Sequence, residues 1–204
     1  MIKNLSRKII YKILTTCYGN RLSRNVQFKN LHNGEECYII GNGKSLKNMD
    51  LKMFKDKISI GCNSLFVHKD FPDIDCRYYQ IPATMCFLKY RFYNNKLTIN
   101  YLNDIYRKHI SKNKKTKLFT SLTNINYSSN NVYYEHHYGH VVPDINKCDM
   151  SQIFSFMGGS LAAMVGLAIY MGFKKAILVG VDYTFVNPIS CLLYTSPSPR
   201  DKRQ

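Results

Sequence analysis

Short apolar runs alternate with polar segments along most of the chain, and the lengths of these runs predict strands and helices. Runs of about four to eight apolar residues are typical of buried strands, whereas longer apolar runs indicate helices. The predicted strands are residues 37–40, 58–62, 77–81, 117–120, 132–134 and 176–181. The predicted helices are residues 97–111 and 159–171.

Strands that alternate with helices and are apolar throughout predict an α/β fold, a Rossmann-like and mostly parallel sheet with helices on both faces. The length of 204 residues suffices for one such domain and is too short for two. We expect this domain to span residues 30–190. A basic N-terminal arm at 1–29 would precede it, and a tail at 191–204 would follow it.

The N-terminal arm is basic and amphipathic. Apolar residues at helical spacing predict a helix over 2–17. Two interpretations stay open: a peripheral anchor on an anionic membrane surface, or a helix that packs on its own domain with a solvated basic face. The arm has no acidic residue and seven cations: Lys3, Arg7, Lys8, Lys12, Arg21, Arg24 and Lys29.

The formal net charge of +16 raises the question of nucleic-acid binding. Lysine outnumbers arginine by 21 to 8, whereas proteins that read phosphates and bases usually rely on arginine. The chain also has no helix-turn-helix, zinc-finger or RNP pattern. We therefore expect a partner other than nucleic acid.

Cysteine usage and hydropathy exclude further classes of protein. The seven cysteines are an odd number, spread out, with no C-x-x-C pair. This argues against a disulfide scaffold or a structural zinc site, and for the reducing cytoplasm. No run reaches about 18 apolar residues, so no membrane span is predicted.

The last fourteen residues, CLLYTSPSPRDKRQ, break with the composition of the rest. The bias toward Asn, Lys, Ile and Tyr stops, and a Ser-Pro-Ser-Pro segment follows closely on a core strand. The segment resembles translated sequencing-adapter read-through. We therefore expect a fragment whose native sequence continues past Ile189; the alternative is a genuine flexible tail.

The stretch CYIIGNGKSL at 37–46 joins an apolar strand to a Gly-Asn-Gly turn. A Walker A loop would need glycine at position 38, which is Tyr38. A dinucleotide fingerprint would need a third glycine at position 46, which is Leu46. What remains is a short turn at the carboxyl end of a parallel strand. Open α/β sheets bind ligands there, and free N–H groups in such turns hold anions.

Two blocks of the chain resemble a known family. The first is a strand, G-N-G-K-S-L, and a second strand that ends in Asn63; the second is GGSLAAMVGLAIYMGFKKAILVGVDYTF at 158–185. Both look like the MptE-like 6-hydroxymethylpterin diphosphokinase family, and they are similar to bacterial CMP-sialic-acid sialyltransferases in the same motifs. The resemblance covers roughly 35–65 and 155–187. Lys44 departs from the proline that the family usually has there.

The resemblance implies a site for a nucleotide-activated donor. Asn42, Gly43 and Ser45 would touch phosphates or ribose, and Asn63 would bind hydroxyl groups of the donor. Ser160 would contribute its hydroxyl and the N–H groups of a helix N-terminus. The implied donor-binding positions are Gly41, Asn42, Gly43, Ser45, Asn63, Gly159, Ser160, Gly180 and Asp182. The structural alternatives are N-caps at the two serines, a turn residue at Asn63 and a cap at Asp182.

The implied function is transfer from a nucleotide-activated donor. The first expectation is a sialyltransferase-like glycosyltransferase of surface-glycan synthesis, with a CMP-sugar donor and a glycan acceptor. The alternatives are transfer of pyrophosphate from ATP to a pterin, which would require Mg²⁺, and a non-catalytic nucleotide-binding or membrane-attached scaffold. Sialyltransferase relatives use a His base well downstream of the Gly-x-Asp strand, so no catalytic residue is assigned in this chain.

Two weaker candidate sites lie outside these blocks. Asp73 and Asp75 match the D-x-D metal motif of many glycosyltransferases, in which carboxylates hold a cation on the diphosphate. Their place in an FPDID turn before a strand favours a surface turn instead. The HHYGH segment at 136–140 suggests a metal or a contact to substrate, but its glycine argues against a helix that would align its outer histidines. No metal site is predicted from either.

Overall fold

A computed structural model describes residues 16–81, 115–122, 130–135, 148–152 and 159–182. Three predicted features lie outside these residues: the helix over 97–111, the histidines of 136–140 and the tail at 191–204. The predicted helix over 2–17 also lies outside them, except for its last two residues.

In the described residues, six strands form one sheet in which every neighbouring pair is parallel. The order across the sheet is β5-β4-β3-β2-β1-β6. The strands are β1 (Glu36–Ile40), β2 (Ser59–Cys62), β3 (Tyr78–Ile81), β4 (Lys117–Ser121), β5 (Val132–Glu135) and β6 (Lys175–Val179). The prediction of a Rossmann-like α/β fold is confirmed, and each predicted strand is present with slightly shifted ends.

Helical segments lie in the described parts of the connections between the strands. Residues 16–22 are α-helical and are called α1, and Ser160–Tyr170 forms α2. The other described segments are 3-10 helices at Ser23–Phe28, Lys44–Asn48, Leu51–Phe54, Leu65–Val67 and Phe71–Asp73. None of the described helices is long and apolar enough to cross a membrane.

Helix α2 ends where the sequence places Gly172. This glycine has φ +82°, and its N–H donates to the carbonyl of Ile169 at 3.0 Å. The next N–H, of Phe173, donates to the carbonyl of Ala168 at 3.2 Å. These two bonds form a Schellman motif, which needs a residue that tolerates the left-handed region.

The apolar residues of the strands divide between two cores, one on each face of the sheet. Cys37 and Ile39 of β1 pack with α2 on one face, whereas Ile40 packs with the 3-10 helices on the other. The same alternation puts Tyr78 of β3 in the α2 core and Tyr79 in the opposite core. Both faces are therefore covered, as the continuously apolar strands predict.

Strand β6 differs from its prediction. Its apolar sequence predicts a buried strand, but β6 lies at the edge of the described sheet, with β1 as its neighbour. Leu178 is 50 % exposed, and the other four positions of β6 are exposed or half-buried. The apolar pattern identified the strand correctly, but it carries no information about the place of the strand in the order of the sheet.

The described end of the arm packs on the domain. Leu22 and Phe28 are buried, one in each core. Asn25 is also buried, and its Nδ2 donates to the carbonyls of Tyr134 at 2.7 Å and Met150 at 2.8 Å. Residues 16–29 therefore pack on the domain, and the two interpretations of the helix predicted over 2–17 stay open.

We expect His32 to make folding stability depend on pH. The ring is buried against Tyr78 and stacks on Phe173 at 4.6 Å between ring centroids. Burial is the largest cause that lowers the pKa of His32 below its ordinary 6.5. Below that pH the unfolded chain takes up a proton that the folded chain resists, so the free energy of unfolding should fall as the pH drops from 7.5 to 5.5. Urea unfolding of wild type and His32→Gln measures this; equal slopes against pH in both would contradict it.

Candidate nucleotide site at the carboxyl edge of the sheet

The strand order changes direction next to β1. Strands β2 to β5 follow one another on one side of β1, whereas β6 lies on its other side. In open parallel sheets, ligands bind in the crevice outside the carboxyl ends of the strands at such a switch point. The turn 41–45 follows β1 and the turn 180–182 follows β6. Both predicted glycine turns therefore meet at this point.

The two turns are joined backbone to backbone. The N–H of Gly41 donates to the carbonyl of Val179 at 2.8 Å, and that of Gly43 to the carbonyl of Gly180 at 2.7 Å. A Cβ on Gly41 would lie 2.5 Å from the Gly180 carbonyl oxygen, and one on Gly43 would lie 2.6 Å from the same atom. The glycines of the first turn are therefore required by the approach of the second turn.

Gly180, in the second turn, also has no room for a side chain. Its φ is +63°, and a Cβ there would lie 2.3 Å from the Leu46 side chain. Leu46 is fully buried, so it cannot move aside. The conformation and the packing both require glycine at this position.

Asp182 occupies the place where the sequence predicts a phosphate. Its Oδ2 accepts from the Ser45 N–H at 2.7 Å, and its Oδ1 accepts from the Ser45 hydroxyl at 2.6 Å. The carboxylate thus caps the N-terminus of the helix Lys44–Asn48 from the neighbouring turn. In this arrangement the N–H and hydroxyl of Ser45 both bind Asp182. Asp182 thus acts as a helix cap, which was the alternative to a contact with ligand.

Asn63 and Ser160 come together from opposite ends of the sequence. The Asn63 Nδ2 donates to the Ser160 Oγ at 2.7 Å. Asn63 has φ +47°, a conformation that asparagine adopts more readily than most residues. Its N–H donates to the carbonyl of Gln80 at 3.1 Å. The structure therefore brings these two predicted residues into contact, and binding of a ligand by them remains a prediction.

Helix α2 begins at the same place. Its N-cap is Gly159, which has φ +111° and makes no side-chain cap. Ser160 is therefore not the N-cap, and its hydroxyl accepts from Asn63 instead. Because the N-terminus of a helix carries a partial positive charge, the first turn of α2 favours an anion beside Asn63.

Asn42 lies against the end of β2. Its Nδ2 donates to the Cys62 Sγ at 3.2 Å. Burial raises the pKa of the Cys62 thiol to about 12, so the thiol is neutral at physiological pH. Cys62 therefore holds Asn42 in place and is not an activated nucleophile.

Asp75 lies at the opposite edge of the sheet from Asp182, and Asp73 lies in the connection from β2 to β3. Both precede β3, and the Asp75 carbonyl accepts from Ser59 at the start of β2. Asp73 is exposed and pairs with Lys52 at 3.5 Å. A four-residue strand separates the two edges by about 13 Å, so the Asp75 carboxylate is too far from Asp182 to share a metal ion with it. Among the described residues, no group of three or more potential metal ligands occurs.

Two positioning residues were not predicted from the sequence. The Tyr79 hydroxyl donates to the Asn63 carbonyl at 2.7 Å, which fixes the turn after β2. The His68 Nε2 donates to the Leu46 carbonyl at 2.9 Å, and its Nδ1 accepts from the Asp70 N–H at 3.2 Å. A buried tyrosine needs a partner for its hydroxyl, so the apolar run around Tyr79 could have indicated a hydrogen bond from its hydroxyl. Nothing in the sequence links His68 to the turn after β1.

Comparison of the chain with models of protein families, with curated proteins and with solved structures gives no match. The class that the fold defines is an α/β protein with a Rossmann-like parallel sheet.

We expect Gly43→Ala to destabilise the fold. Gly43 has φ −69°, which alanine adopts freely, so the effect comes from the contact with the Gly180 carbonyl and the Asp182 carboxylate. Overpacking of this kind costs about 1–3 kcal/mol in the free energy of unfolding. Urea unfolding followed by circular dichroism measures it.

Gly19→Ala is the matched control for this substitution. Gly19 lies in α1, and nothing is within 4 Å of a Cβ placed there. Alanine should therefore stabilise the helix by about 0.5–1 kcal/mol. Equal stability changes in the two variants would show that the turns do not constrain position 43.

Proposed function

We propose that this protein is a transferase that uses a nucleotide-activated donor, bound in the crevice between the ends of β1, β6 and β2. The observation that carries this proposal is the Asn63–Ser160 hydrogen bond of 2.7 Å. It joins the turn after β2 to the N-terminus of α2, next to the switch point of the sheet. Polar side chains from separate segments thus meet where this class of fold binds ligands.

The phosphates of the donor would lie beside Asn63 and the first turn of α2. An amide, a hydroxyl and the positive end of a helix are available there, and all of them favour a negative charge. Asp182 excludes a phosphate from Ser45, because its own carboxylate accepts from both donors of that residue. A carboxylate has about four lone-pair sites, so Asp182 retains acceptor capacity for hydroxyl groups of the ribose or sugar.

In the proposed reaction, the hydroxyl of an acceptor attacks the activated carbon of the donor while the bond to the leaving phosphate breaks. Negative charge grows on that phosphate in the transition state, and the N–H groups of α2 with Ser160 would stabilise it. The acceptor proton passes to a base that the described residues do not identify. A glycosyl transfer of the sialyltransferase type fits this arrangement, with a CMP-sugar as donor and a glycan as acceptor.

Transfer of pyrophosphate from ATP to a pterin is the weaker candidate. That reaction requires Mg²⁺ held by carboxylates. Of the carboxylates that could hold this ion, Asp75 lies at the other edge of the sheet from Asp182, and Asp73 pairs with Lys52. Activity that survives EDTA would support glycosyl transfer, and activity abolished by EDTA would support the diphosphokinase.

We expect Asn63→Gly and Ser160→Ala each to weaken nucleotide binding by about 1–3 kcal/mol, the range for a lost hydrogen bond to a charged group. Glycine is the appropriate replacement at Asn63, because alanine at φ +47° would add backbone strain. Calorimetric titration of CMP and of AMP into the full chain measures the effect. Tighter binding of CMP supports the glycosyltransferase, and tighter binding of AMP supports the diphosphokinase.

Asn30→Gly and Ser23→Ala are the matched controls. Asn30 is exposed and has φ +56°, so its replacement repeats the backbone change of Asn63→Gly away from the crevice. Ser23 is exposed, and its hydroxyl donates to the Asn20 carbonyl at 3.0 Å. Both controls should bind nucleotide as wild type does. Unchanged binding in the Asn63 and Ser160 variants, with folding intact, would remove the proposed site.

A further inference from the structure

An open pocket of about 570 Å³ lies at the amino edge of the sheet. Three of its lining residues are cations: Arg77 precedes β3, Lys117 begins β4 and Lys115 precedes it. Asp75 is the one carboxylate in the lining. The pocket therefore has an excess of positive charge, which favours an anionic group such as a phosphate.

An exposed apolar side chain lies beside these cations. Leu31 lines the same pocket and is 52 % exposed. Cations beside exposed apolar groups are the combination that binds an anionic lipid surface, because the cations attract the headgroups and the apolar groups enter the interface.

The basic arm leads into this surface. Residues 1–29 contain seven cations and no acid, and Gln27 and Phe28 at the end of this stretch line the pocket. Within this stretch, Lys29 is partly neutralised by Asp149 at 3.3 Å. The described end of this basic stretch therefore lies at the pocket that Arg77, Lys115 and Lys117 line.

We propose that the amino edge of the sheet docks on an anionic membrane surface, with a lipid phosphate in the pocket of Arg77, Lys115 and Lys117 and with Leu31 in the interface. The carboxyl edge, at the other end of the strands, then faces the aqueous phase. This inference does not depend on the proposed transfer reaction. It assigns a membrane-facing edge to the fold and leaves the candidate nucleotide crevice accessible to soluble donors.

Co-sedimentation of the full chain with vesicles tests this proposal. Vesicles of phosphatidylglycerol mixed with phosphatidylcholine should bind the protein, and vesicles of phosphatidylcholine alone should not. Lys115→Glu with Lys117→Glu should lower the partition coefficient at least about tenfold, because each cation near a surface contributes separately. The matched control, Lys44→Glu with Lys47→Glu, makes the same change in net charge beyond the carboxyl end of β1 and should change binding much less.

The variant Leu31→Gln distinguishes binding to a lipid surface from binding to other polyanions. It should weaken binding to the anionic vesicles and leave binding to a double-stranded DNA oligonucleotide unchanged, because only the bilayer accepts an apolar side chain. Equal loss in the two double variants would overturn the proposal. Release from vesicles by inorganic phosphate, beyond the release by sodium chloride of the same ionic strength, would also overturn it, because the pocket would then prefer a free phosphate.

Thermal unfolding of each variant provides the fold control. If the double charge reversal unfolds the domain, Lys115→Gln with Lys117→Gln removes the two charges without adding acids. That variant should still lower binding to anionic vesicles about fivefold or more. Wild-type binding by this neutral variant would contradict the proposal.

Discussion

The contact between the turn after β1 and the turn after β6 is the constraint on which the candidate site depends. Backbone N–H groups of Gly41 and Gly43 reach carbonyls of the β6 segment at 2.7–2.8 Å, and no side chain fits between them. Asp182 then joins the turns through Ser45. The contact continues the parallel pairing of β1 with β6, and that pairing creates the switch point at which an open parallel sheet binds ligands.

The lengths of the apolar runs predicted the strands of the fold, because a strand that is buried on both faces is apolar at nearly every position. The contact of Asn63 with Ser160 followed from general topology, since the carboxyl ends of parallel strands share one edge. The exposure of β6 did not follow, because an apolar run does not reveal its neighbours. The pairing of Asp182 with Ser45 did not follow either, since a glycine turn that holds a phosphate and one that holds a carboxylate have the same sequence pattern.

The two edges of the sheet have different chemistry. The carboxyl edge combines amide, hydroxyl and helix N-terminal groups around Asn63 and Ser160, which suits a phosphorylated ligand. The amino edge combines cations with the exposed side chain of Leu31, which suits a charged surface. In the proposed account, one edge binds the soluble donor and the other edge positions the protein, so that the two tasks do not compete for the same residues.

The most direct test of the account is an amide NMR spectrum of the full chain titrated with CMP and, separately, with AMP. The account predicts that the largest shifts fall on the amides of Asn63, Ser160 and the first turn of α2, with the amides of β3 and β4 at the amino edge unchanged. Shifts confined to Arg77 and Lys117, or no saturable shift with either nucleotide, would contradict a nucleotide site at the carboxyl edge.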